Sequence, residues 1–479
     1  MAAVLGTVRT SAVEPRRDIK ALTGLRAVAA TLVVLFHAQF FVGPYTDFLP
    51  MIRPLIGAGW TGVELFFVLS GFVITYTYAD RLARLTPGGV VQFVLARVAR
   101  IWPAWAAVTL FMGAWVWVLR RQGMDADVIA KHPDADLPTL LSQLSMTHMW
   151  GHNSPIGNNY VFPGWSISAE WAAYLAFPLL LVLLRPLRRL PAVALMVLSV
   201  ATMMPLSVEA FRFGTPDFEQ AWPVRIACGF TAGMLAAMAI RRVRAGSVLE
   251  RSAPTLLWGS ILLFVAGTSW AAWRRAADMT FDYAGIVAVL FPVLVVSLAL
   301  TEQGPARWLA RPAMVYVGRI SYCLYLVHFV VLDVALTIWW QNPADVEILS
   351  PGLALAVPFL LILSFVLAAA LHHGVEEPGR RLILRLTGSR AGRRRAGTGS
   401  VAPTTAAATT AAAATDAAVA AVVPPRSRVG VAAPAPVPAV MDSRTERLGL
   451  VYQRTAEESL DARPRVPAGA APSRDLASR

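Results

Sequence analysis

Apolar stretches of about twenty residues recur along the chain as far as residue 372, separated by short polar segments. A helix rising about 1.5 Å per residue needs about twenty such residues to cross a hydrocarbon layer of roughly 30 Å. Ten stretches meet that requirement, at 21–42, 59–79, 99–119, 165–184, 190–206, 222–240, 254–273, 281–301, 313–340 and 351–372. The pattern predicts an all-α, polytopic membrane protein with about ten transmembrane helices. Basic residues mark alternate junctions. Arg16, Arg17 and Lys20 precede the first span, Arg81, Arg84, Arg97 and Arg100 follow the second, Arg185, Arg188 and Arg189 follow the fourth, and Arg241, Arg242 and Arg244 follow the sixth. The opposite side carries Asp125, Asp127, Asp134 and Asp136 in a long loop at 122–163. Cytoplasmic loops concentrate Lys and Arg, so both termini are expected in the cytoplasm of a protein of the cell membrane. Arg274 and Arg275 fall on the outer side and break the pattern. The first span is longer than a signal-peptide core and is followed by no cleavage site, so it is expected to be retained.

Composition removes several alternatives. With 56% hydrophobic and 15% charged residues and a mean hydropathy of +0.55, the chain lies outside the range of soluble domains. Near Thr387 its character changes: Arg393, Arg394 and Arg395 lead into runs such as APTTAAATTAAAAT and VAAPAPVPAV, with no apolar periodicity. The expected organisation is a cytoplasmic N-terminal segment at 1–20, a membrane domain at 21–385 and a disordered Ala/Pro/Arg-rich cytoplasmic tail at 386–479. The net charge of +14 sits beside the spans and in the tail, which fits membrane lipid as a partner and argues against nucleic acid. Cys228 and Cys323 are far apart inside apolar segments. They offer neither a disulfide framework nor a CxxC motif, and no metal is expected.

Ionisable residues inside apolar spans are costly and mark candidate functional positions. Arg26 and His37 stand eleven residues apart in the first span, which puts them on one helical face, roughly 16 Å apart along the axis. A buried neutral imidazole can take a proton, so His37 is the candidate general base; its alternative is packing alone. Arg26, near the membrane entry, has the alternative of a snorkelling anchor. In the second span Glu64 needs a partner, while Ser70 and Gly71 form a small-residue notch of the kind used for close helix packing. Arg97 and Arg100, at i and i+3, offer two forked guanidiniums suited to phosphate, or simply obey the positive-inside rule. Ser166 is expected to cap the fourth span after Pro163 and Gly164, and Glu170 lies just inside that span. In the ninth span Tyr322, Tyr325 and His328 are candidate cavity residues, His328 at a depth near that of His37. The tyrosines have the alternative of donating to backbone carbonyls.

Taken in order, LTGLRAVAATLVVLFH, GVELFFVLSGFVIT, ARVARIWPAW, WSISAEWAAYLAFP and GRISYCLYLVHF resemble the acyltransferase 3 family of integral membrane O-acyltransferases. The most specific elements are the Arg-x10-His pattern at Arg26 and His37, the FFxxSGF pattern at Phe66 to Phe72, and the RxxR pair at Arg97 and Arg100. The resemblance implies ten transmembrane helices and transfer of an acetyl or other short acyl group from acyl-CoA, acetyl-CoA being the expected co-substrate, with no bound cofactor. The acceptor would be a hydroxyl on a cell-surface polysaccharide, a glycolipid or a glycosylated metabolite such as a macrolide. It also implies that Arg26, His37 and Glu170 are catalytic and that Arg97 and Arg100 bind the donor, with Glu64, Ser70, Tyr322, Tyr325 and His328 lining the substrate cavity. Many relatives carry a second glutamate and a glutamine after the residue matching Glu170, where this chain has Trp171 and Ala172. With Arg26 inside and His37 toward the outside, one helix face offers a route from a cytoplasmic donor to an acceptor on the far side. Two other readings stand beside the enzyme: a transporter or flippase for an acylated sugar or lipid, and a non-catalytic membrane partner whose working part is the basic tail.

Overall fold

Long apolar runs satisfy their backbone hydrogen bonds most simply as helices, and the computed structural model is all-helical, with turns and loops between the helices and no strand among the residues it describes, 19–39, 52–214, 221–277, 282–339 and 351–388. Contacts divide the chain into Met1–Thr387 and Gly388–Arg479, and all described residues but Gly388 belong to the first unit. Nearly all of the tail read as disordered lies outside the described residues, as does nearly all of the segment at 1–20. Among the described residues, nine helices are long and apolar enough to cross a membrane, and the protein is a multi-pass membrane protein. The helices are α1 (Lys20–His37), α2 (Gly62–Tyr78), α3 (Pro87–Arg121), α4 (Leu137–Leu144), α5 (Trp165–Leu183), α6 (Ala192–Phe213), α7 (Ala221–Ile240), α8 (Val248–Ala277), α9 (Phe291–Leu300), α10 (Pro312–Trp339), α11 (Pro351–Leu371) and α12 (Glu377–Leu386).

Four departures from the expected spans have local causes. The span expected at 281–301 is a 3-10 segment, Ala284–Leu290, that changes to α-helix at Phe291. Pro292 lies in the first turn of that helix, where a missing N–H costs nothing. The third helix starts twelve residues before the expected Ala99, because Thr86 caps it, accepting the Gly89 N–H at 3.2 Å, and Pro87 opens it. Arg97 and Arg100 therefore project from inside a helix. Ser166 does not cap α5. That helix begins at Trp165, and the Ser166 hydroxyl donates instead to the Pro163 carbonyl at 3.0 Å. Finally, α11 runs through a π-helical turn, His372–Glu376, into the amphipathic α12; such turns re-aim a helix and its side chains.

Packing around the site depends on close helix approach. Gly71 of α2 and Gly233 of α7 form a reciprocal notch: a Cβ on Gly71 would run into the Phe230 carbonyl, and one on Gly233 into the Val68 carbonyl. The small-residue notch read from the sequence is thus a helix crossing. Helix α1 packs along α10, bringing the first and ninth expected spans together. The loop at 122–163 is tied down against the bundle. There α4 is capped by Asp136, which accepts the Thr139 N–H at 2.8 Å, and Trp105 of α3 donates to the Gln143 carbonyl at 2.7 Å. His132 of this loop reaches Asp333 of α10 at 2.9 Å, and both side chains are buried.

Candidate active site

Helices α1, α2, α3, α5 and α10 enclose a cavity of about 110 Å³. Of the residues singled out in the sequence, Arg26, Ser70, Arg97, Arg100, Glu170, Tyr322 and Tyr325 line it, joined by Tyr174 among others. Three guanidiniums and one carboxylate therefore share one space. Glu170 accepts from Ser70 Oγ at 2.6 Å and from the Tyr174 hydroxyl. Tyr174 is one helical turn beyond Glu170, a spacing that could have flagged it in the sequence. Tyr322 and Tyr325 present their rings to the cavity, while their hydroxyls donate to the carbonyls of Ile101 at 2.8 Å and Pro163 at 2.9 Å. The backbone-donor role weighed for both tyrosines is the one seen.

The three arginines differ. Arg26 lies over the Phe66 ring at 6.0 Å, and its buried Nε has no hydrogen-bond partner among the described residues. Arg97 donates to the Tyr78 hydroxyl at 3.0 Å and lies against the rings of Tyr78, Phe93 and Tyr174; its buried Nε is likewise without a partner. Arg100 is instead committed to an ion pair with buried Glu376 of the π-helical turn. Glu376 also accepts from the Cys323 thiol at 3.0 Å and faces His372 Nδ1 at 2.8 Å. Cys323, His372 and Glu376 thus gather ligand-type atoms within 4.8 Å of one another, a grouping that cysteine spacing alone had hidden. Because Glu376 lies just past the last expected span, Arg100 had no visible partner in the sequence.

Two expected cavity residues lie elsewhere. Glu64 does not line the cavity; its carboxylate meets Arg225 of α7 at 2.5 Å, and Arg225 stacks on Trp165 at 4.4 Å. An arginine inside the apolar run at 222–240 was the sequence signal for this pair. His328 and His37 also stand outside the lining residues, beyond Tyr325, whose ring is 5.9 Å from that of His328. The two histidines, expected at one depth, are in contact: His328 Nε2 lies 3.2 Å from His37 Nδ1. His37 is half-buried, and His328 is fully buried.

A helical bundle crossing the membrane around a cationic internal cavity, with a histidine pair beside it, defines a multi-pass membrane protein with an embedded reaction or transport site. Its family is resolved by comparison. The acyltransferase 3 family, described as an acyltransferase domain, matches residues 19–373, and the chain belongs to this family of membrane-bound O-acyltransferases. It is 28% identical over 396 residues to the acyltransferase MdmB of Streptomyces mycarofaciens, covering 77% of this chain and 93% of that protein. The putative membrane-bound transacylase BcsY of Komagataeibacter xylinus is 28% identical over 66% of this chain and 72% of its own length. The putative peptidoglycan O-acetyltransferase YrhL of Bacillus subtilis (strain 168) is 23% identical over 76% of this chain and 55% of its own length. No solved structure matches the chain.

Proposed function

We propose that this membrane-bound acyltransferase moves a short acyl group from acyl-CoA to a hydroxyl of a carbohydrate-containing acceptor, with His37 as the base. What supports this reading above all is the arginine cavity: Arg26 and Arg97 each keep a buried Nε without a partner among the described residues, and, with Arg100 committed to Glu376, the single lining carboxylate, Glu170, balances only one of those two positive charges. Such a space favours an anionic ligand. Its volume of about 110 Å³ suits the acyl-thioester end of a donor and leaves the nucleotide outside, which fits a short acyl group. Arg97 is the candidate contact to the donor's phosphates, and Arg26 stabilises negative charge deeper in; Arg100 acts through its hold on Glu376. Positive-inside charge supports a cytoplasmic donor side, with both termini in the cytoplasm.

In this reaction the acceptor hydroxyl gives its proton to His37 Nε2 while its oxygen attacks the thioester carbon. The C–S bond then breaks, and the CoA thiolate takes the proton back from Nε2. General-base assistance of this kind is worth roughly 100-fold or more. The test uses purified protein, acetyl-CoA as donor and octyl glucoside as a soluble glycolipid-like acceptor, reading thiol release and acetylated glycoside. Activity in the wild type and a loss of at least about 100-fold in His37→Ala are expected. A variant as active as the wild type removes His37 from the mechanism.

A further inference from the structure

The histidine pair carries a second role, which rests on His37 being the base. Each ring lies with Nδ1 on the carbonyl one turn back in its own helix: His37 on Val33 at 2.9 Å and His328 on Leu324 at 3.0 Å. A carbonyl oxygen only accepts, so each neutral ring carries its proton on Nδ1. His328 Nε2 is then a bare lone pair. It faces His37 Nδ1 at 3.2 Å and accepts that N–H in a three-centre bond shared with Val33. Both nitrogens of His328 are in use and its side chain is fully buried, so it cannot itself meet a substrate. The nitrogen left bare and without a partner among the described residues is His37 Nε2. The other rings against His37, those of Phe36 at 5.2 Å and Phe329 at 5.5 Å, offer no in-plane acceptor.

We infer that His328 is a positioning residue that holds His37 in the tautomer presenting Nε2 to the acceptor hydroxyl, and that it continues to accept from Nδ1–H when Nε2 has taken the proton. His328 gains and loses no proton in the cycle; the proton travels from hydroxyl to His37 Nε2 to thiolate. A histidine lends this help without placing a further negative charge in the membrane, as a carboxylate would.

The test compares His328→Gln, His328→Phe and His37→Ala with the wild type in the full-length chain, using acetyl-CoA and octyl glucoside. Size-exclusion profiles confirm folding. Glutamine sets an acceptor oxygen near the place of Nε2, whereas phenylalanine fills the space with no lone pair. His328→Phe is expected to lower kcat roughly 100-fold with KM for acetyl-CoA unchanged, and His328→Gln to recover at least about tenfold of that loss. Wild-type kcat in His328→Phe, with His37→Ala inactive, overturns the positioning role and leaves the base role standing. Equal impairment of the Gln and Phe variants reduces His328 to packing. Full activity in His37→Ala overturns the base role itself.

Discussion

Glu64 and Glu170 entered as similar intramembrane carboxylates, and the fold gives them opposite work. Glu64 is 2% exposed and bonded to Arg225, which is 16% exposed; the pair joins α2 to α7 beside the Gly71 crossing. Removing one partner leaves the other charge buried and uncompensated, typically at about 3–5 kcal/mol. Glu64→Ala should therefore lower the thermal midpoint sharply, and pairing it with Arg225→Met should restore much of the loss. Additive damage in the double variant would show that the two residues are not coupled. Arg97 and Arg100 were likewise twins in the sequence. Arg97→Gln is expected to raise KM for acetyl-CoA about tenfold with little change in kcat, the cost of about one lost charge-assisted bond. Arg100→Gln should instead reduce the yield of folded protein, because it strands Glu376. An equal effect of both on KM would contradict this division. The sequence made the need for a partner legible at Glu64 alone. Who the partners are depended on which helices touch, and no local pattern encodes that.

Helix boundaries were legible where composition changes sharply, as at Trp165, and missed where a helix continues past its apolar stretch, as in α3 and α12. The loop at 122–163 was read only as acidic and external, yet it carries the histidine that fastens it to α10. His132 Nδ1 faces the Ala126 carbonyl and Nε2 faces Asp333, both at 2.9 Å, so both nitrogens are asked to donate and the ring is held as an imidazolium. Burial alone would push its pKa down, but hydrogen bonds to Asp127 and Asp333 outweigh that and raise it from 6.5 to about 9. A raised pKa stabilises the folded form in full below pH 6.5 and loses that contribution as pH climbs through about 9, a change of roughly 3 kcal/mol. Thermal midpoints of wild type measured from pH 6.5 to 10 should accordingly decline toward the alkaline end, whereas Asp333→Asn should start lower and vary less. Parallel pH curves for the two proteins would exclude this tie.

Sidedness decides what chemistry the bundle can perform, because donor and acceptor meet only if the cavity and the histidines open toward the right compartments. The basic residues that follow α2, α5 and α7, namely Arg81, Arg84, Arg185, Arg188, Arg189, Arg241, Arg242 and Arg244, share one side if successive helices alternate in direction. Arg307 and Arg311, before α10, and Arg380, Arg381 and Arg385 of α12 add to that side. The acidic loop at 122–163 then lies opposite. Each misplaced Lys or Arg opposes the translocation preference, so the more than ten basic residues on that side outweigh Arg53, Arg120, Arg121, Lys131, Arg212, Arg274 and Arg275 on the other, where Arg274 lies over the Tyr283 ring at 5.7 Å. Single cysteines at Ser154 in the acidic loop and at Arg84, in a background carrying Cys228→Ala and Cys323→Ser, separate the alternatives. In intact cells a membrane-impermeant maleimide should label position 154 and spare position 84, and in inverted vesicles the pattern should reverse. Labelling of both from one side would break the alternation of helices. The inverse pattern would put the arginine cavity toward the exterior, where acyl-CoA is absent, and would require a different acyl donor. Orientation is thus the property on which the proposed donor, the proposed direction of transfer from Arg97 toward His37, and the compartment of the product all depend.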